Sequence, residues 1–370
     1  MMASRSAQNK AAAAIVSVCH QGHPPERLKA EVLALLRPVL PVDALWWATS
    51  DPATLLFTQA YSEGIPHQSI PYLVNNEFLG RDANQWTELI HWSGGVRSLA
   101  GATGGRLELS ARFRDVFQPL GLGDELRAVL RSGDDCWGLL CLHRGAGGPF
   151  SAEEAQFIKG LAPHLGYGIR AGLLVASAVA GTADDSPGLV VVGPGGEIVA
   201  ATAAAQAWFA ELGHDGKAGA PVPAEVATAM ALLRRPAGAP PARLRVRTRA
   251  GRWIVLHASF LTGHDLAADQ IAIIIEAATP IEVADVIMRA NGLTERERRV
   301  TGLVCQGRST AEIATTLWIS GNTVQDHLKS VFDKTGVRSR RELIATILRN
   351  HYLPALEQSR PVSARGFFQG

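Results

Sequence analysis

Near the C-terminus, Asn322, Gln325, Asp326 and Lys329 recur at steps of three and four residues, which lines them along one stripe if the segment is helical. Their chemistry suits the edges of bases in a major groove. Gln can bond adenine through two contacts, Asp can accept from cytosine N4, and Lys can donate to guanine. Lys334, Arg338 and Arg340 follow directly, where they would neutralise phosphates. A polar stripe is equally what a solvated helix face looks like, so the weight falls on the elements that would carry it.

Those elements are legible. Thr294-x-x-Glu297, Ser309-x-x-Glu312 and Ser339-x-x-Glu342 read as capping boxes, in which the hydroxyl accepts from the N3 amide and the Glu reaches back to the cap amide. A further helix start is expected at Ser320, with Ile319 and Val324 as a hydrophobic staple. Gly307 and Gly336 stand where helix-ending glycines belong. Four helices follow, at 294–306, 309–317, 320–335 and 339–350. In the third, Val324, Leu328 and Val331/Phe332 must face the core, leaving the polar stripe outward. Residues 291–350 carry ten Lys and Arg against six Asp and Glu, a local excess of +4. The rest of the chain therefore sums to −2, since the whole carries +2. The basic excess sits where a polyanion-binding module would need it.

Leu293-Thr294-x-Arg296-Glu297, Gly307, Glu312-Ile313-Ala314-x-x-Leu317-x-Ile319-Ser320, Thr323-Val324-x-x-His327 and Lys334-x-Gly336-Val337-Arg338-Ser339-Arg340-x-Glu342-Leu343 together resemble the LuxR/FixJ-type helix-turn-helix family. The resemblance implies a sequence-specific transcription regulator that binds double-stranded DNA. It implies that Gln325, Asp326 and Lys329 read bases while Ser320, Thr323, His327 and Lys334 position the backbone. It also implies pairing of two copies through the fourth helix, whose Leu343, Ile344, Ile347 and Leu348 exceed what a three-helix core needs. RNA polymerase is a further partner implied for such regulators. The chain departs from the family at Thr310, often Asn, and at Trp318, a bulky turn residue.

Upstream, residues 1–24 read as a flexible arm in which Ala11–Cys19 is a frayed helix rather than a signal-peptide core. Residues 25–178 read as an α+β domain. It has a helical pattern at Leu28, Val32, Leu35 and Leu36, and strands at Ala44–Thr49, Thr54–Tyr61, Leu126–Arg131 and Cys136–His143. The capping box Ser151-x-x-Glu154 opens a closing helix. Gly148-Pro149-Phe150-Ser151-x-Glu153-Glu154 and Leu161-Ala162-Pro163-His164-Leu165 resemble the closing helix of GAF-like sensors. A linker at 179–185 precedes residues 186–278, with strands at Leu189–Val192, Glu197–Ala200, Leu244–Thr248, Trp253–Phe260 and Ile271–Glu276 and a helix at Ala203–Leu212. This second part resembles a degenerate PAS domain. A connecting helix at 279–290 and a tail at 351–370 complete the expectation. The fold class is thus a multidomain chain: α+β sensor domains, GAF-like and PAS-like, followed by an all-α tetrahelical helix-turn-helix DNA-binding domain.

Aromatics crowd the stretch between Trp46 and Trp92, much of it read as irregular from Gly64 to Gly105. Successive strand residues face opposite sides, so of Trp46 and Trp47 only one can line an interior pocket. Trp46, Phe57, Tyr72 and Trp86 are the candidate walls of a site for a small, largely apolar effector. The alternative is that these rings fill a core. Cys136 and Cys141, five apart, would face opposite sides of one strand. All four cysteines read as reduced packing residues, which with the absence of an apolar run near the ~18 residues of a membrane span points to the cytoplasm.

Catalytic signatures are missing. There is no G-x-x-x-x-G-K-[ST], H-E-x-x-H or G-x-S-x-G, and no metal-ligand cluster, so neither cofactor nor metal is expected and the chain reads as a non-enzyme. Gly193-Pro194-Gly195-Gly196 reads as a hairpin turn, with no helix opening behind it to hold phosphate. Two rivals remain at this level: a GAF-type enzyme carrying a DNA-binding regulatory headpiece, and a sigma-factor-like protein. The second would need a helical DNA-melting module upstream, where this chain is rich in strands.

Overall fold

The computed structural model describes residues 5–145, 148–177, 185–235, 242–261, 269–344 and 346. The linker at 179–184, residues 345 and 347–350 of the expected fourth headpiece helix and the tail at 351–370 lie outside them. The chain divides into two compact units, residues 1–175 with 186–277, and residues 176–185 with 278–370.

The first unit opens with α1 (Arg5–Cys19) and α2 (Pro25–Leu36). The expected arm, with its frayed helix at Ala11–Cys19, is helical from Arg5 to Cys19. Ile15, Val18 and Cys19 are buried along one side of α1, and that burial holds an Ala-rich segment too short to stay helical by itself. Strands β1 (Ala44–Ser50) and β2 (Phe57–Glu63) follow. The stretch expected to be irregular holds α3 (Ile70–Leu79), α4 (Trp86–Leu89), β3 (Val96–Ser98) and α5 (Leu99–Thr103). These pieces are too short for periodicity to announce them, and tertiary burial supplies their stability. A π-helical turn, Phe113–Phe117, leads to β4 (Asp124–Ser132) and β5 (Asp135–Arg144), joined through a turn at Gly133-Asp134. The long helix α6 (Ala152–Ser177) starts on the capping box: Glu154 N donates to Ser151 Oγ at 3.2 Å and Ser151 N to Glu154 Oε2 at 2.8 Å.

The second part of this unit runs β6 (Gly188–Val192), β7 (Ile198–Ala201), α7 (Ala203–Leu212), α8 (Ala224–Leu233), β8 (Arg243–Arg247), β9 (Trp253–Phe260) and β10 (Ile271–Ala277). Among the described residues the strands form two five-stranded antiparallel sheets, ordered β2-β1-β5-β4-β3 and β7-β6-β10-β9-β8. Counted within each module, both are second, first, fifth, fourth, third. The same winding thus occurs twice in a chain whose sequence shows no repeat.

The modules were expected as separate domains, yet one continuous core contains Trp46, Phe57 and Val74 of the first with Val190, Met230 and Ile254 of the second. The reason is α8. Its sequence, Ala-Glu-Val-Ala-Thr-Ala-Met-Ala-Leu-Leu, is apolar all round, and Ala224 through Leu232 are buried. A helix without a polar face needs cover on every side, and here α3 and β2 of the first module cover what β8 and β9 leave open. Asp51 pairs with Arg245 across the same seam, and Ala60 N donates to Glu225 Oε1 at 3.0 Å.

One register detail corrects the reading of the cysteines. Pairing of β4 with β5 skips Trp137, since Leu130 faces Gly138 and Arg131 faces Cys136. The extra residue re-phases the strand, so Cys136 and Cys141 join the same core cluster. Cys19, Cys136 and Cys141 are buried as expected; Cys305 is exposed.

The second unit holds α9 (Pro280–Ala290), α10 (Glu295–Cys305), α11 (Thr310–Leu317) and α12 (Gly321–Thr335), with residues 340–344 helical beyond them. The boxes at Thr294/Glu297 and Ser309/Glu312 are fully made, and Thr279/Glu282 adds one more. At Ser339 only half is made: Glu342 N donates to Ser339 Oγ at 3.1 Å, but Glu342 Oε2 takes Arg338 N rather than Ser339 N. Gly307 and Gly336 adopt φ of +79° and +69°, the left-handed geometry that ends a helix without a Cβ clash.

Candidate DNA-binding face and sensor cavity

In the headpiece, α10 positions the other two helices through consecutive residues. Arg296 donates to the Leu317 carbonyl at 3.0 Å, satisfying a C-terminal orphan of α11. Glu297 is buried and accepts from Ser330 Oγ at 2.7 Å and from Lys334 Nζ at 2.9 and 2.7 Å, both on α12. Burial pushes the Glu297 carboxyl up, but hydrogen bonds from Lys334, Ser330 and Thr294 outweigh it and carry its pKa down to about 2. The core of Val300, Val304, Ile313, Val324, Leu328 and Val331 closes the triangle.

This framework sets α12 with Val324, Leu328 and Val331 inward and Asn322, Gln325, Asp326 and Lys329 exposed. Gln325 Nε2 donates to Thr310 Oγ1 at 3.3 Å, so α11 restrains the first base-reading candidate. Ser320 caps α12, accepting from Thr323 N at 3.1 Å, and its hydroxyl lies 2.8 Å from that of Thr323. Thr323 and His327 are half-buried on the flank of the stripe. Arg338 is exposed, while the Arg340 guanidinium bonds the Arg308 carbonyl. Lys334, expected at a phosphate, has Glu297 as its partner instead. The turn before α12 is made by Trp318, a non-glycine residue at φ +55° and 93% exposed. Of the residues expected to pair two copies, Leu343 is fully buried and Ile344 packs on the headpiece core, which accounts for their apolarity within one copy. Ile347 and Leu348 lie outside the described residues.

The match to known proteins falls on this region. The model of bacterial regulatory proteins of the luxR family matches residues 291–347. The spore germination protein GerE of Bacillus subtilis is 42% identical over 57 residues, spanning 15% of this chain and 77% of that one. This chain belongs to the luxR family of bacterial regulatory proteins. The transcriptional regulatory protein DesR of Bacillus subtilis is 38% identical over 65 residues, 18% of this luxR-family chain and 33% of its own length. The regulator MalT of Vibrio campbellii is 35% identical over 60 residues, only 7% of its length. Among solved structures, the GAF domain of a phosphoenolpyruvate-protein phosphotransferase from Coxiella burnetii aligns at 19% identity and a TM-score of 0.34, over 45% of this chain and 95% of that one. Escherichia coli SdiA aligns at 14% and 0.33, over 92% and 97%. The luxR-family regulator carries two antiparallel sheets with flanking helices and, after them in the chain, a helical headpiece. Among its described residues no helix is long and apolar enough to cross a membrane, and no group of three or more His, Cys, Asp or Glu could hold a metal.

In the first module the ladder assembles a second site. Trp46 on β1 faces Cys141 on β5, which faces Arg127 on β4; two residues along, Ala44 faces His143, which faces Glu125. These rows floor a cavity of about 40 Å³, roofed from α3 by Leu73, Val74 and Glu77 and walled by Phe57, Ile65, Phe117 and Leu139. Of the expected walls, Trp46 and Phe57 therefore line it. Tyr72 points elsewhere, exposed and bonded to Asp115, and Trp86 is fully buried without lining it. Trp86 instead donates its backbone N–H to the Glu77 carboxylate.

The polar end was missed in the sequence. Arg127 Nη1 lies 2.7 Å from Glu77 Oε2 and its Nε 2.9 Å from Glu125 Oε1; Arg112 Nη2 lies 2.7 Å from Glu125 Oε2. Burial raises and these guanidinium charges more strongly lower the Glu125 pKa, to about 2. Burial holds His143 neutral, with a pKa of about 4, and its Nδ1 is buried without a partner. The available signal was Glu125-x-Arg127, two charges on one face of a strand around the apolar Leu126, Ala128, Val129 and Leu130.

Proposed function

We propose that this luxR-family regulator recognises a specific double-stranded DNA site by laying α12 in the major groove, and that a small effector in the first module's cavity sets its DNA affinity. The observation that carries the first half is the exposed stripe of Asn322, Gln325, Asp326 and Lys329, held on the side of α12 away from Val324, Leu328 and Val331. Arg338 and Arg340 supply phosphate contacts. The regulator acts in the cytoplasm as a homodimer on a two-fold site, with RNA polymerase as the machinery it influences, and has no enzymatic activity of its own.

The cavity supports the second half. Leu73, Val74 and Glu77 of α3 line it, while Pro71 and Asn75 of α3 line a second hollow together with Ala227 and Met230 of α8, the helix on which α3 packs. An effector that favours one placement of α3 thereby favours one placement of α8. The PAS-like module then acts as a transmitter, its covering helix already committed to α3.

Selection of bound duplexes from a random library by the purified full chain tests the DNA reading. An enriched motif with two-fold halves, relaxed at one position per half by Lys329→Ala, is expected. Recovery without any sequence preference overturns it.

A further inference from the structure

The lining of the first module's cavity divides sharply by chemistry. One side is aromatic and aliphatic, from Trp46, Phe57, Phe117 and Leu139. The other is ionic and buried. Glu77, Glu125 and Arg127 line it, and behind them Arg112 meets Glu125 and Asp82, its Nη1 3.4 Å from Asp82 Oδ2, so that among the described residues two guanidiniums face three carboxylates. The cluster carries one excess negative charge. His143 cannot offset it, being neutral, and Asp124 next to Glu125, held by the backbone N–H groups of Ala100, Glu125 and Phe150, adds no positive charge.

We propose that the cavity takes a small organic cation, a short monoamine with a compact apolar body. This rests on reading the cavity as the effector site and names the class of effector. An excess charge in a water-poor site attracts a cation and repels an anion far more strongly than it would in solvent. Glu77 Oε2 and Glu125 Oε1 each accept from one arginine nitrogen, so each has acceptor capacity left for an ammonium group. Buried His143 Nδ1, without a partner, offers a further acceptor in the tautomer protonated at Nε2. The faces of Trp46, Phe57 and Phe117 suit a cation with an apolar body. Size limits the occupant to a few heavy atoms, because about 40 Å³ admits on the order of three waters, which excludes a benzene ring or a long acyl chain.

The test is thermal unfolding of the full chain at pH 7 and fixed ionic strength against three probes of one shape: ethylamine, ethanol and acetate. The amine is expected to raise the midpoint saturably, with an apparent affinity at least tenfold above the alcohol, and acetate to give no shift. Glu77→Gln, which removes the excess charge, should bring amine and alcohol close to parity. Leu73→Trp, which fills the cavity from half-buried α3 positions, should abolish the amine response. The wild-type ranking decides the class even if either variant fails to fold. Alcohol or acetate binding as tightly as the amine overturns the cationic class and leaves the effector cavity standing. No saturable shift with any probe overturns both.

Discussion

Lys334 Nζ sits 2.9 and 2.7 Å from the two carboxylate oxygens of Glu297, so the last basic residue of α12 is tied to the first turn of α10. Its charge closes the headpiece. Lys334→Ala should therefore lower headpiece stability by about 2 kcal/mol, the cost of leaving a buried carboxylate without its cation, moderated by the partial exposure of the lysine. The salt dependence of DNA binding should stay near wild type. A fall in the salt slope by a full phosphate, with unchanged melting, would return Lys334 to the DNA backbone.

The same pair sets an acid sensitivity. The Glu297 pKa is about 2 in the folded chain against 4.5 ordinarily. A depressed carboxylate contributes stability above pH 4.5 that is lost as pH falls toward 2, about 3 kcal/mol over the window. Glu297→Gln should be less stable at pH 7 and lose less on acidification. Chemical denaturation at several pH values between 2 and 7 measures both.

Glu225 behaves in the opposite sense. Burial raises its pKa to about 7 from 4.5. The folded chain then holds a proton that the unfolded chain releases, so stability falls as pH rises from 4.5 to 7 and levels off above, by about 3 kcal/mol. Glu225→Gln keeps an acceptor for Ala60 N and should flatten that decline, leaving the variant more stable than wild type at pH 8.

On α12, Lys329→Ala and Arg338→Ala should fail differently. Loss of a base contact costs about 1–3 kcal/mol at one position and relaxes preference there. Loss of a phosphate contact weakens every sequence alike and lowers the salt slope by about 1. Titrations of wild type and both variants on matched and singly mismatched duplexes, at several salt concentrations, separate the two.

The shared core predicts a single cooperative unit. Residues 5–277 should unfold in one transition, and residues 186–277 alone should not fold, because α8 would present its α3-facing side to water. Met230→Ala, at the seam, should cost about 2–5 kcal/mol. Two separated transitions in calorimetry would restore independent modules.

What the sequence alone determined lies mostly in the headpiece and the second module's strands. Thr294, Ser309 and Ser320 specify helix starts by hydrogen bonds that reach only three residues, and Gly336 specifies a stop by its own φ. Local interactions of this kind are written in local spacing. Strand β9 was legible from Trp253 to Phe260 for the same reason, a β-rich run that starts behind a turn. Tertiary structure decided the rest, wherever partners are distant in the chain. Trp46, Cys141 and Arg127 become one row only when β5 inserts between β1 and β4. Lys334 finds Glu297 across thirty-seven positions, and Glu77 finds Arg127 across fifty. The helix α8 looked like any short apolar segment until two sheets closed over it. Its burial, and with it the charge state of Glu225, follows from which surfaces meet, a property that belongs to the packed chain and to no window of its sequence.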